Sequence, residues 1–202
     1  MNQSIMTRYE WDSINWHKIE KTVFKLQKRI YQASKRNDTK RVHQLQRLLL
    51  NSRNAKLLAV KRVSQVNKGK NTAGIDGVKT LTKEQKLKMA NELKLETKSK
   101  PVRRVWIPKP GKLEKRPLGI PVMVDRARQA LVKLALEPEW EAKFEPNSYG
   151  FRPSRSCHDA IEAIFNAISR KNVYVLDADI SKCFDKIDHQ KLMNKLLIMS
   201  TL

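Results

Sequence analysis

The stretch Val173-Tyr-Val-Leu-Asp-Ala-Asp-Ile-Ser-Lys-Cys-Phe-Asp185 constrains this chain more than any other. It reads as a strand running into a turn, and side chains on a strand alternate between faces. Asp177 and Asp179 therefore share one face, and Tyr174, Leu176, Ala178 and Ile180 share the other. Two carboxylates at the end of an apolar strand repel each other and lose hydration unless positive charge lies nearby. A hard divalent cation such as Mg²⁺ suits them, because it binds through one or two carboxylates and fills its shell with water or phosphate oxygens. A strand end that simply reaches solvent fits the pattern equally well.

Charge narrows the field of partners. The 202 residues carry a formal net charge of +22 and a pI near 10.2, which implies a polyanion, most often nucleic acid. Ribosomal and histone-type proteins share that balance. Lys and Arg exceed Asp and Glu by 13 over residues 1–70 and by 9 over residues 71–132, and the two balance over residues 133–202. The basic excess thus precedes the acidic cluster. Over residues 1–70 it is more than solubility requires. Cys157 and Cys183 form no CxxC pair, which argues against a zinc site or disulfide framework and fits a reducing compartment. With no apolar leader and no apolar run near membrane-spanning length, a cytoplasmic location with no membrane partner is expected.

Periodicity and punctuation divide the chain. Residues 1–15 are expected to be disordered. Ile19, Val23, Leu26 and Ile30 fall on one helical face from Trp16 onward. Asp38 is a good N-cap for a second helix carrying Val42, Leu45 and Leu49, and a third is expected from Ser52 to Val66. Asn67-Lys-Gly-Lys-Asn-Thr-Ala-Gly-Ile-Asp-Gly77 is the clearest break, so residues 16–70 and 71–202 are expected to be separate regions. Thr82 with Gln85 makes a capping box for a helix to about Leu95. Val102 to Ile107 and Leu118 to Ile120 read as strands flanking a basic hairpin loop. A helix from Asp125 is expected to end before Pro138, and one from Ser156 is expected to turn Ile161, Ile164, Phe165 and Ile168 inward. Gly150, in the loop from Asn147, is expected to supply a positive φ or a close approach.

Several of these blocks together resemble the reverse transcriptases encoded by group II introns. They are Thr72-Ala-Gly-Ile-Asp-Gly77, Arg103-Arg-Val-Trp-Ile-Pro-Lys109, Arg116-Pro-Leu-Gly-Ile-Pro121, Asp125-Arg126 with Gln129, Asn147-Ser-Tyr-Gly-Phe-Arg-Pro153 and Asp177-Ala-Asp-Ile-Ser-Lys-Cys-Phe-Asp-Lys-Ile-Asp-His189. The resemblance covers nearly everything from Trp11 onward. It implies an α+β fold in which a basic helical N-terminal extension precedes the fingers and an incomplete palm of a right-hand polymerase.

The resemblance also implies roles. Asp179 matches the first catalytic, metal-binding aspartate, and the backbone carbonyl of Ile180 matches a second Mg²⁺ ligand, with Asp177 as their neighbour. Lys109 and Arg116 match residues that grip the triphosphate of an incoming deoxynucleotide, and phosphoryl transfer needs such cations on its developing charge. Phe184 matches the aromatic that rejects a 2′-hydroxyl. Arg103, Arg104, Tyr149, Arg152 and Arg155 are assigned to nucleic-acid binding, the loop residues mixing aromatic and basic groups in a way that suits backbone contact and base stacking. The implied partners are intron or template RNA, an RNA–DNA duplex and deoxynucleoside triphosphate.

No Asp-Asp pair occurs in the sequence, whereas the family carries one on a later palm hairpin. A partial chain with a missing C-terminal half is therefore expected, inactive as a polymerase when alone. A non-catalytic, maturase-like RNA-binding module is the alternative.

Overall fold

The computed structural model of the chain describes residues 11–95, 98–111, 113–170, 172–181, 183 and 186–200. They fall into two compact units, Met1–Ala142 and Lys143–Leu202, and the fold is α+β.

In the first unit, short polar side chains set the helix starts. Asn15 accepts from the Lys18 amide at 3.0 Å and opens α1, Trp16–Lys35. Asp38 accepts from the Arg41 amide at 2.9 Å and opens α2, Thr39–Asn51. Each cap satisfies an amide that has no partner within its helix. The apolar stripes then face inward: Ile19, Val23 and Ile30 from α1, and Val42, Leu45 and Leu49 from α2. Fully burying an aliphatic side chain of this size contributes about 1.5–3 kcal/mol relative to exposure. Helix α3, Arg53–Lys61, continues into a five-residue π-helical turn, Arg62–Val66. Helix α4, Lys83–Glu92, carries the Thr82/Gln85 capping box.

Of the residues expected to be disordered at the N-terminus, 1–10 lie outside the described residues. Trp11 is a core residue instead, its ring centroid 4.9 Å from that of Trp16. Asp12 pairs with Lys83 of α4, so Trp11 and Asp12 tie this segment to the first unit.

Helix α5, Met123–Glu141, packs on α1, α2 and α3 and completes the core with Ala127, Leu131 and Ala135. Here the expectation at Pro138 is corrected: the proline lies inside the helix. A proline has no amide to donate four residues back, which normally leaves a carbonyl unpaired. Gln27 of α1 fills the gap, its Nε2 donating to the Leu134 carbonyl at 2.9 Å. One turn on, Ser34 Oγ donates to the Glu139 carbonyl at 3.0 Å.

Two strands, β1 (Arg103–Pro108) and β2 (Lys115–Ile120), form an antiparallel ribbon. No helix among the described residues is long and apolar enough to cross a membrane.

In the second unit, Ser156 and Asp159 form a capping box for α6, Cys157–Ile168, and the Asp188 carboxylate accepts from the Lys191 amide at the start of α7, His189–Ser200. Two expectations change. Ile161, Ile164, Phe165 and Ile168 are exposed, because no described element covers that stripe. Residues 172–180 form no strand, and Val175, Leu176 and Ile180 stand in solvent. A strand exists only when a neighbour pairs with its amides and carbonyls, and no described segment pairs with this one.

Candidate nucleic-acid interface

The ribbon's geometry follows from its register. Arg103 faces Ile120, Arg104 faces Gly119, Val105 faces Leu118, Trp106 faces Pro117, Ile107 faces Arg116 and Pro108 faces Lys115. Directly opposed residues point to the same side of an antiparallel pair. Arg103, Val105, Ile107, Arg116, Leu118 and Ile120 therefore share one face, which includes the buried Ile120. Arg104, Trp106, Pro108, Lys115, Pro117 and Gly119 share the other, and all six are exposed.

The tip is closed by the Lys109 amide donating to the Glu114 carbonyl at 3.1 Å, with Gly111 at φ +68° in the turn. The side chains close it again: Lys109 Nζ lies 2.5 Å from Glu114 Oε2. Hydrogen bonding and charge from Lys109 hold the Glu114 carboxyl below the ordinary carboxylate range. Lys109 thus has a counter-ion at the tip. Arg116 lies at the other side of the tip, exposed, with its backbone opposite Ile107.

The base of the ribbon is fixed by the loop at residues 67–77. Arg103 Nε donates to the Ala73 carbonyl at 3.0 Å. Arg126, in the first turn of α5, donates to three carbonyls: Pro121 at 2.8 Å, Gly69 at 2.9 Å and Thr72 at 2.6 Å. A guanidinium fork can hold several acceptors at fixed angles where an ammonium cannot. Burial pulls its pKa down, opposed by Asp76 and helped by Arg103. Gly74 lies so close to this junction that a Cβ would come within 2.7 Å of the Val122 Cα. Asp125, also buried, accepts from the Lys100 amide at 2.9 Å and from Arg128 at 2.8 Å. The motif residues of 72–77 and 125–126 thus build the platform under the ribbon, a role no local pattern in the sequence announces.

In the second unit, the loop from Asn147 carries two arginine–aromatic contacts. The Arg152 guanidinium lies 5.4 Å from the Phe144 ring centroid, and that of Arg155 lies 5.6 Å from Tyr149. Arg152 is buried and donates to the carbonyls of Glu145 at 2.6 Å and Ser148 at 2.7 Å. It therefore shapes the loop from within, whereas Arg155 is exposed. The expectation at Gly150 is corrected: a Cβ there would meet open space, and the positive φ belongs to Phe151, at +58°.

Comparison with known proteins assigns these elements. Residues 11–93 match the N-terminal domain of reverse transcriptase, and residues 107–202 match reverse transcriptase (RNA-dependent DNA polymerase). The group II intron-encoded protein LtrA of Lactococcus lactis subsp. cremoris is 41% identical over 130 residues, covering 63% of this chain and 22% of LtrA. Maturase-like protein 1 of Euglena gracilis is 30% identical over 196 residues, covering 90% of this chain and 41% of that protein. Protein YkfC of Escherichia coli K12 is 39% identical over 146 residues, 65% of this chain and 37% of its own length.

The chain belongs to the reverse transcriptase family of group II introns.

The chain spans between about a fifth and two fifths of the length of those relatives. The family typically uses metal ions, and no metal site is shown among the described residues. Asp177 and Asp179 lie in the irregular, exposed segment 172–180, and among the described residues no group of three or more His, Cys, Asp or Glu could hold a metal. Asp179 and the Ile180 carbonyl could supply two oxygens of an Mg²⁺ shell, which water and phosphate oxygens would have to complete. Phe184 lies outside the described residues.

Proposed function

We propose that the chain is the N-terminal, fingers and first-palm part of a group II intron RNA-directed DNA polymerase and maturase, and that it binds intron or template RNA. Residues 16–70 act as the basic helical extension, and residues 71–202 as the fingers and partial palm. What supports this reading most is the order of the two reverse transcriptase matches, 11–93 then 107–202, on one chain. The ribbon begins between them, and its base is held on a polar platform.

At the ribbon tip, Lys109 and Arg116 take the triphosphate of a deoxynucleotide, with Lys109 exchanging Glu114 for phosphate oxygens. Arg103 supports the ribbon base, and Arg104, Tyr149 and Arg155 meet the nucleic-acid backbone and bases, while Arg152 keeps the loop in shape.

Fluorescence anisotropy with the purified 1–202 chain tests the reading. A structured intron RNA is expected to bind with a dissociation constant of about a micromolar or tighter at moderate salt. The double variant Lys109→Gln/Arg116→Gln is expected to weaken deoxynucleoside triphosphate binding about tenfold while sparing RNA. An absence of RNA binding by the wild-type chain would sink the proposal.

The exposed, irregular setting of Asp177 and Asp179 favours a second reading, a non-catalytic RNA-binding module. Primer extension separates the two: synthesis of complementary DNA that is abolished by Asp179→Ala excludes the module.

A further inference from the structure

We propose that the exposed face of the β1–β2 ribbon is a track for single-stranded nucleic acid, with Trp106 as a base-stacking platform and Arg104 and Lys115 as phosphate contacts. The proposal rests on the polynucleotide-binding reading above and assigns the ribbon's two faces to different tasks. Arg103 and Ile120 tie one face to the body of the unit, through the Ala73 carbonyl and the core. The opposite face is free of such ties. Trp106 is 55% exposed there, and its cross-strand neighbour is Pro117. Arg104 lies opposite Gly119, and the space a Cβ would take there is bordered by the Val102 side chain, with Cγ2 at 3.1 Å.

Along the ribbon, two-residue steps of about 7 Å separate Arg104 from Trp106 and Trp106 from the Pro108–Lys115 pair. A cation therefore lies on each side of one indole. That order matches a base on the ring with its two flanking phosphates on the cations. The face carries no acidic residue, which favours a polyanion over an ordinary protein surface. A single strand is favoured over a duplex because a paired, stacked base cannot offer its face to a ring.

The test uses the 1–202 chain, a labelled twelve-nucleotide oligouridylate and a blunt RNA duplex. Trp106→Leu is expected to weaken oligouridylate binding about tenfold and to leave duplex affinity within twofold. Trp106→Phe is expected to stay within threefold of wild type on both. The oligonucleotide is expected to quench tryptophan emission in the wild type, and the quenching is expected to vanish in Trp106→Phe although binding persists. Wild-type oligouridylate affinity in Trp106→Leu, or unchanged quenching in Trp106→Phe, would overturn the track while leaving the function proposed above intact. Failure of the wild type to bind any RNA would overturn both.

Discussion

Gln46 and Glu139, 93 residues apart in sequence, meet inside the first unit with Nε2 and Oε2 2.8 Å apart. Both residues are buried, and the same amide nitrogen also donates to the Ala135 carbonyl at 3.3 Å. Replacing Gln46 by Leu fills the space but withdraws a donor from a buried carboxylate and a carbonyl. Such a loss costs about 1–3 kcal/mol. Urea denaturation of Gln46→Leu is expected to show a lower midpoint with an unchanged slope; an unchanged midpoint would mean that Glu139 does not depend on this partner.

A second prediction concerns the proline in α5. Gln27→Leu is expected to destabilise the chain by about 1–2 kcal/mol, because the Leu134 carbonyl loses its substitute donor. In a Pro138→Ala background the helix regains its own amide, and the same substitution is expected to cost less than half as much. A double-mutant cycle by chemical denaturation reads this directly, and additive costs would refute the substitution of side chain for backbone.

Gly74 offers a third. A methyl group at that position overlaps the backbone at Val122, which cannot yield as a flexible side chain would. Gly74→Ala is expected to cost about 1–3 kcal/mol and to speed amide exchange at residues 69–77, where Arg126 takes its acceptors. Native-like exchange in the variant would exclude a tight junction.

The pH dependence of the ribbon tip and the helix starts has a definite sign. Glu114 is lowered chiefly by its hydrogen bond from Lys109, Asp159 by its hydrogen bond from Ser156, and Glu84 by its backbone hydrogen bond and then Thr82. A carboxyl depressed in the folded state adds stability that is complete above its unfolded pKa of about 4 and is lost as pH falls through the folded value. Carboxyl NMR titration is expected to place each midpoint below that of the same residue in the unfolded chain. In Lys109→Met, the Glu114 midpoint is expected to move back up.

Helix starts and apolar stripes are local chemistry, and they were legible in the sequence: Asp38, Thr82 with Gln85 and Ser156 cap where their spacing predicts. The stripe on α1 buries Ile19, Val23 and Ile30 as its period requires. What failed depended on distant partners. Pro138 continues a helix because Gln27, far away in sequence, replaces its amide. The alternation at residues 173–180 describes a strand only when another segment pairs with it. The period of α6 predicts an apolar stripe but not what covers it. At the candidate site, the flanking of a basic loop by Lys109 and Arg116 was visible in the sequence, whereas the assignment of residues to two faces required the register. The threefold carbonyl grip of Arg126 left no local signal.

Every buried hydrophobic side chain among the described residues lies between Trp11 and Ala135. Heat capacity should register that distribution. A chain of this length that buried apolar surface throughout would gain about 2.4–3 kcal/mol/K on unfolding, whereas a transition confined to the first unit, Met1–Ala142, would gain about 1.7–2.1 kcal/mol/K. Calorimetry is expected to return the smaller value in a single transition, with residues 143–202 contributing little heat of their own.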